Sequence, residues 1–544
     1  MNASAGRSFA YVRFGEGCLL GLREVEWQSI DLPTRLVALV TNNRVWRSIF
    51  RFPYPSDDRA RALIIPAVFF LHIHPLKVDV RSIRLTYTWG LGLFLFFLFL
   101  IETFTGILLM FVYVPHVDRA YADVQAMGTT IPFGTLLRNV HRWGAHLMVL
   151  AVFLHMARVF YTGAYKSPRE FNWVIGVMLL LLTLALSFTG YLLPWDQLSF
   201  WAITVSTNLA GYTPLIGEPL RMFILGGKEV GQDALIRFYT AHVILLPLLM
   251  TVLIGLHFWR IRKDGGLAAS HPLPRGVRRE PAPAAPATAG EDDDPPEDAE
   301  AALPMPGARP RPSEATAASR APAARAAVAR KQTVSTWPNL LILEIIAGLF
   351  ITAVLVLMSL AVDAPLRDLA NPDVTENPAK APWYFLNLQE LLLHMDAALA
   401  GVWIPGLLIV GLIVLPYLDR DLSHAGEWFG TRKGLVITIW SAVYTAVWMT
   451  ALVIFDENVG VRSIVGEPAI VPNWVIPVGV TVGLMAILHA SILPLRPSRR
   501  EILMAYFTGF IVAYAHLTIV GSFFRGIGMH LVEPWNLPPG GLSF

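Results

Sequence analysis

Nine stretches of the chain are apolar for long enough to cross a bilayer whose hydrocarbon core is about 30 Å thick. They run at roughly 85–114, 134–160, 172–193, 239–261, 339–362, 401–418, 434–455, 474–493 and 503–522. Polar residues return only in short blocks between them, so the pattern predicts an all-α, polytopic bundle of about nine spanning helices. Two segments break this rhythm. Residues 1–80 are mixed and basic, and their apolar piece at 62–73 is too short to span, which predicts an amphipathic surface segment. Residues 264–336 are rich in Ala and Pro and carry the acidic run Glu291–Asp294, the composition of a disordered linker.

Basic residues fall at alternate ends of the runs. Lys77, Arg81 and Arg84 precede run 1, Lys166 and Arg169 follow run 2, and Arg260, Arg262 and Lys263 follow run 4. Arg330–Lys331, Arg432–Lys433 and Arg499–Arg500 precede runs 5, 7 and 9. All six clusters share one side of an alternating bundle, and the positive-inside rule assigns that side to the cytoplasm. The N-terminus and the linker are then expected inside and the C-terminus outside, as in a multi-pass protein of a bacterial cytoplasmic membrane. No short apolar segment with a small-residue cleavage site opens the chain, so no cleaved signal peptide is expected.

Composition narrows the chemistry. Of the 544 residues 54% are hydrophobic and 15% charged, far from an ordinary soluble domain. The net charge of +3 says little by itself, and no nucleic-acid partner is expected of a membrane-embedded chain. The single cysteine, Cys18, excludes an internal disulfide, a cysteine-ligated iron–sulfur cluster and a multi-cysteine zinc site, so any metal cofactor must hang on histidine.

Histidines supply the matching signal. His141 and His155 lie 14 residues apart in run 2, and His242 and His257 lie 15 apart in run 4. At 1.5 Å per residue each pair stands about 21–22 Å apart along its helix, near one face. Runs 2 and 4 cross in the same direction, so His141 is level with His242 near the outer face and His155 with His257 near the inner. Ionisable groups in membrane helices are costly and seldom idle. Facing neutral imidazoles suit the axial positions of haem iron, whereas zinc prefers four ligands at one level. A lone histidine bonded to a neighbouring helix is the plain alternative, and it does not account for two matched pairs. Gly92 and Gly106 in run 1, and Gly176 and Gly190 in run 3, repeat the 14-residue period. Bare backbone at those levels would admit flat macrocycles; close helix packing through small residues is the alternative.

At this point the residues resemble a known family, cytochrome b of the quinol–cytochrome c oxidoreductases, in its b6-type branch. The resemblance runs through residues 80–263 and is carried by RNVHRWGAHLMVLAVFLHMARVFYTGAYKSPRE (Arg138–Glu170), GYLLPWDQLSFWA (Gly190–Ala202) and RFYTAHVILLP (Arg237–Pro247). The 15-residue spacing in run 4 is the b6-type variant. Residues 337–455 resemble the subunit IV half, from WPNLL (Trp337–Leu341) through APWYF (Ala381–Phe385). The expected domains are therefore a surface segment (1–80), a di-haem four-helix domain (81–263), the linker (264–336), a three-helix domain (337–455) and two additional spans with a tail (456–544).

The resemblance implies two non-covalent b-type haems, on His141 with His242 and on His155 with His257. It sets Arg138, Arg142 and Arg158 beside them as propionate partners. It implies a quinol site at the outer face between Pro194, Trp195 and Asp196 and the pair Trp383 and Tyr384. It also implies a quinone site at the inner face, for which His74, Lys77, Arg262 and Lys263 are candidates, with His72 nearby. The implied partners are a Rieske iron–sulfur protein, a cytochrome c subunit or carrier, quinone and membrane lipid, in a dimeric complex.

Two positions depart from the family. Its Pro-Glu-Trp-Tyr motif reads Ala381-Pro382-Trp383-Tyr384 here, and proline cannot accept a proton. Glu390, about two helical turns past Trp383 in an apolar run, is the expected replacement, with Glu376, His394 and Asp396 also near in sequence. The position that carries a haem-attaching cysteine in b6-type proteins is Gly90, so no covalent haem is expected. Two other functions compete with a bc-type subunit: a di-haem membrane anchor that passes quinol electrons to another enzyme, and a transporter with structural histidines.

Overall fold

The computed structural model describes residues 74–268, 333–421, 423–460 and 468–537, with 44–49, 59, 63, 65, 464 and 465 in addition. The expectations for Cys18, His72 and most of the linker lie outside the described residues. The chain divides into two units, Met1–His72 and Ile73–Phe544. In the first, Arg44–Ile49 is a short helix. Everything below concerns the second.

Among the described residues nine helices are long and apolar enough to cross a membrane: span 1, Leu91–Met110; span 2, Gly134–Tyr161; span 3, Glu170–Tyr191; span 4, Gln232–Lys263; span 5, Thr336–Ala361; span 6, Leu399–Leu418; span 7, Arg432–Asn458; span 8, Val471–Leu495; span 9, Arg499–Phe523. Two starts differ from the apolar pattern. Span 1 begins at Leu91 because Trp89 and Gly90 take left-handed φ values of 53° and 66°, which break the helix after the turn Leu85–Thr88. Span 4 begins earlier than its apolar run, since Gln232–Thr240 extends the helix with polar residues beyond the lipid-length core.

Spans 1 to 4 form one bundle, with span 5 against spans 1 and 2 and span 6 against span 3. Leu98, Trp143, Met148, Leu182, Met250 and Leu355 fill its middle. A strand at Lys77–Asp79 pairs antiparallel with Thr333–Ser335, Lys77 opposite Ser335, and so ties the entry to span 5 beside the entry to span 1. Arg169 donates to the Gly266 carbonyl, and the Tyr87 hydroxyl to that of Ala268. Both described ends of the linker therefore meet the same end of the bundle, the end that carries the basic residues.

Those basic residues are also structural. Lys166 is buried with its ammonium 3.4 Å from the Asp419 carboxylate at the end of span 6, and Arg500 donates to the carbonyls of His424, Tyr161 and Glu427. The opposite end holds the short helices Ala120–Thr129, Gln197–Gly211, Gly217–Leu225 and Leu386–His394.

Candidate haem and quinol site

Span 4 contains a π-helical turn at Ala241–Leu245, just ahead of Pro247. A π turn accommodates one extra residue. The 15-residue interval from His242 to His257 is thereby brought level with the 14-residue interval on span 2, which explains the unequal spacing.

The His141 and His242 rings face each other with centroids 6.2 Å apart and planes at 83°. An iron held by one nitrogen of each ring at about 2 Å would need centroids about 6.3 Å apart, so the separation fits a metal shared by the pair. Each ring is aimed by a Thr-Gly pair on the neighbouring helix. Thr105 Oγ1 donates to the Ile101 carbonyl and lies 2.9 Å from His141 Nδ1; Thr189 Oγ1 donates to the Ala185 carbonyl and lies 3.1 Å from His242 Nδ1. A hydroxyl that donates backwards can only accept from the ring, so the ring proton sits on Nδ1 and Nε2 keeps its lone pair for a metal. The next residue is glycine in both cases. A Cβ at Gly106 would stand 3.2 Å from His141 Cε1, and one at Gly190 only 2.5 Å from His242 Cε1.

The second level is looser. A Cβ at Gly92 would stand 3.5 Å from His155 Cε1, an ordinary contact, and one at Gly176 would meet nothing within 4 Å. His155 and His257 lie within electrostatic range of each other. No cluster of three or more potential metal ligands occurs among the described residues, which leaves the two histidine pairs as the candidate metal positions. At the His141 and His242 level the donors, the bare glycine backbones and the ring separation fit a bis-histidine haem, and His155 and His257 repeat the donor set at the second level.

A cavity of about 300 Å³ lies between His141 and His242 and is also lined by Arg138, Arg142, Pro194 and Tyr384. Arg138 spends its two terminal nitrogens on the carbonyls of Ala364 and Pro365. Arg142 is better free for an anion: its guanidinium stacks over Tyr191 at 4.8 Å, and its buried Nε has no hydrogen-bond partner among the described residues. Arg158, near the second level, donates through Nε to the Tyr87 carbonyl at 3.1 Å and leaves one terminal nitrogen buried without a partner among the described residues.

The two loops expected to build a quinol pocket do meet. Gln197 N donates to Asp368 O at 2.9 Å, Ala370 N to Trp195 O at 3.3 Å, and Asn371 N to Gln197 Oε1 at 2.7 Å. Asp196 is the seam between them, since it caps the helix Gln197–Gly211 through Ser199 N and accepts from Arg367 N at 3.0 Å. Pro194 and Tyr384 line the cavity, while Trp195, Asp196 and Trp383 do not. Burial pushes the Tyr384 phenol up to about 12.

Glu390 takes a different place from the one expected of a proton acceptor. It is buried away from the cavity wall, and both its oxygens are taken by Arg525, which also holds Glu457 at 2.7 Å. Burial alone would raise its carboxyl, but the hydrogen bonds from His394 and Arg525 outweigh that and leave it lowered. A carboxylate so engaged anchors structure; a proton could reach it only by displacing the guanidinium. Glu376 stands nearer the wall, 3.9 Å from Arg367 and within electrostatic range of Tyr191. At the basic end, His74 pairs with Glu344 at 2.9 Å, Lys77 sits in the first strand, Lys263 Nζ lies over the Trp259 ring at 4.8 Å, and Arg262 is beside it in the last turn of span 4. Sequence reading passed over His146, Thr105, Thr189 and Glu102, although a third histidine in run 2 and a repeated Thr-Gly were visible signals.

Comparison with known proteins gives two matching family profiles, described as Cytochrome b/b6/petB at residues 77–265 and Cytochrome b(C-terminal)/b6/petD at residues 369–466. The chain is 44% identical over 186 residues to cytochrome b6 of Heliomicrobium gestii, an alignment covering 34% of this chain and 87% of that protein. Cytochrome b6 of Heliobacterium mobile is 43% identical over the same length. Among solved structures, a chain of a hyperthermophilic respiratory Complex III superposes with a TM-score of 0.53 at 19% identity, covering 89% of this chain and 98% of that one, a likeness of fold.

Proposed function

The chain belongs to the cytochrome b family, and from that membership we propose that it is the membrane subunit of a bc-type quinol–cytochrome c oxidoreductase. The observation that carries this reading is the cavity in which the His141 and His242 pair meets Pro194 and Tyr384. Quinol binds beside that pair rather than between its rings, at the outer-face end of the cavity walled by Pro194 and Tyr384, and gives up two electrons and two protons. His141, His242, His155 and His257 hold two b-type haems, which when bound supply one-electron conduction between the two levels. Arg142 and Arg158 neutralise carboxylates at the haem edges. Quinone is reduced at the basic, cytoplasmic face near the His155 level, with His74, Lys77, Arg262 and Lys263 as the cations available to it.

A Rieske protein takes the other quinol electron and passes it to a cytochrome c; both are separate chains, and the whole is a dimeric complex that contributes to proton translocation. A second reading, a di-haem anchor without the Rieske branch, draws support from Pro382 in place of the motif's glutamate. Purification of the intact complex from membranes tests both. The bc-type reading expects two acid-extractable b haems per chain, a Rieske subunit, and quinol-dependent cytochrome c reduction. An active complex without a Rieske subunit would favour the anchor, and a chain without a b-type band in its reduced-minus-oxidised spectrum would end both.

A further inference from the structure

His146 lies five residues past His141, about 140° around span 2 and off the face that carries the metal ligands. It is buried, with its ring edge-on to Tyr384 at 5.8 Å and beside Trp143 at 5.3 Å. Trp383 Nε1 donates to His146 Nδ1 at 2.9 Å. An indole N–H can only donate, so Nδ1 must accept. No acidic side chain hydrogen-bonds the ring among the described residues, and a charged imidazole buried without one would be costly. The single proton of the neutral ring is therefore on Nε2. That Nε2 is buried and has no hydrogen-bond partner among the described residues. His146 lines the cavity together with Tyr384 and Pro194, whereas Trp383, which holds Nδ1, does not.

We propose that His146 is a catalytic residue of the quinol site, its Nε2–H donating a hydrogen bond to a ring oxygen of the bound quinol or quinone. The inference rests on the quinol-oxidation reading above and deepens it. A buried donor without an acceptor is unfavourable until a ligand oxygen arrives, so the group is kept ready for one. The bond strengthens as the oxygen gains negative character on losing its proton, which favours oxidation over mere binding. Trp383 thereby acquires a defined role, since its N–H fixes the tautomer that points the proton at the substrate.

Two amide substitutions separate this role from a packing role. In His146→Asn the side-chain oxygen takes the place of Nδ1 and keeps the Trp383 bond, but no N–H reaches the cavity. In His146→Gln the amide nitrogen takes the place of Nε2 and keeps the N–H, but Trp383 loses its acceptor. The intact complex is assayed with duroquinol as donor and its own cytochrome c as acceptor, with the haem spectrum recorded in parallel. His146→Asn should lose three- to tenfold or more in kcat/KM, as expected for one lost hydrogen bond to substrate, and His146→Gln should stay within about threefold of wild type. Both should keep a wild-type haem spectrum. The reverse order, equal rates for the two variants, or a change in haem spectrum without a change in kcat/KM would each overturn the role of His146. A wild-type complex that does not oxidise duroquinol would instead overturn the quinol-oxidation reading beneath it.

Discussion

Replacing Thr189 by Val should weaken haem binding at the His141 and His242 level far more than replacing Thr105 by Val. Valine keeps the shape of threonine and removes only the oxygen. Each histidine also faces a backbone carbonyl one turn back on the neighbouring helix, Glu102 for His141 and Leu186 for His242, so that contribution is common to both. What differs is the Glu102 carboxyl, whose Oε2 stands 3.2 Å from His141 Nδ1. Its other oxygen has no partner among the described residues, so the group has capacity to spare. Without Thr105, His141 keeps a side-chain acceptor; without Thr189, His242 keeps none. Loss of a ligand-orienting partner typically costs ten- to a hundredfold in metal affinity, about 1.4–2.7 kcal/mol, which is the expectation for Thr189→Val. For Thr105→Val the loss should be within about tenfold, that of one exchanged hydrogen bond. The assay is haem retained per polypeptide on dilution, by pyridine haemochrome, with the redox midpoints followed alongside. Adding Glu102→Leu to Thr105→Val should bring its loss up to that of Thr189→Val. A Thr105→Val protein that loses haem as readily as Thr189→Val would refute the reasoning.

Arg525→Ala strands the Glu390 carboxylate in a buried site and should cost about 3–5 kcal/mol, seen as a fall in thermal midpoint of the purified subunit, while Arg525→Met with Glu390→Leu recovers most of it; an unchanged midpoint in the single variant would deny the pair its structural weight. His394 gives a pH dependence. Burial pushes its imidazole down, but the hydrogen bonds and charges of Asp456 and Glu390 outweigh this and raise it to about 9, above its ordinary 6.5. A raised pKa means that the contribution to stability is complete below about pH 6.5 and is lost as the pH climbs through about 9. Thermal midpoints between pH 6 and 10 should fall in that window and flatten in His394→Gln. Gly190→Ala puts a methyl 2.5 Å from His242 Cε1 and should empty that haem level, whereas Gly92→Ala, at 3.5 Å from His155, should leave its ligand in place; haem stoichiometry decides.

The spans and the histidine pairs were legible because both obey fixed periods. Apolar length is set by bilayer thickness, and two ligands on one helix must return to one face. The cause of the 15-residue spacing was hidden, since a π turn at Ala241–Leu245 leaves no mark in hydropathy. The pairing of Glu390 was hidden for a related reason. A lone carboxylate in an apolar run signals that some partner exists, but the partner, Arg525, is 135 residues away, and only the fold brings the two together. The quinol-site loops were placed on one side by charge topology and by the resemblance, yet the backbone bonds from Gln197 to Asp368 that join them carry no side-chain signature.

Span 9 shows most clearly what sequence order conceals. By position it and span 8 are an appended pair, but they do unlike work. Span 8 is tied to its neighbours through Ser491 to Trp440, His489 to Tyr506, Leu484 to Tyr444 and Asn473 to Asp396, and turns Val475, Val478, Val482 and Met485 outward. Span 9 is packed into the molecule. Phe507 stacks on Phe160 of span 2 at 3.7 Å, Tyr514 donates to the Tyr384 carbonyl at 2.7 Å, and a Cβ on Gly521 would press on Leu386 at 3.1 Å. Arg525, just past its end, holds Glu390 in the helix that follows Tyr384. The short helix Leu386–His394 and the Trp383–Tyr384 turn are thus fixed by the last span in the chain. The difference shows in polarity: span 9 buries Arg500, Glu501, Thr508 and Ser522, and polar groups are buried in a membrane helix where protein rather than lipid surrounds it. Apolar substitutions on the outward face of span 8 should therefore leave quinol oxidation intact. Tyr514→Phe, which removes only the hydroxyl that holds the Tyr384 carbonyl, should instead loosen the wall of the quinol cavity and raise KM.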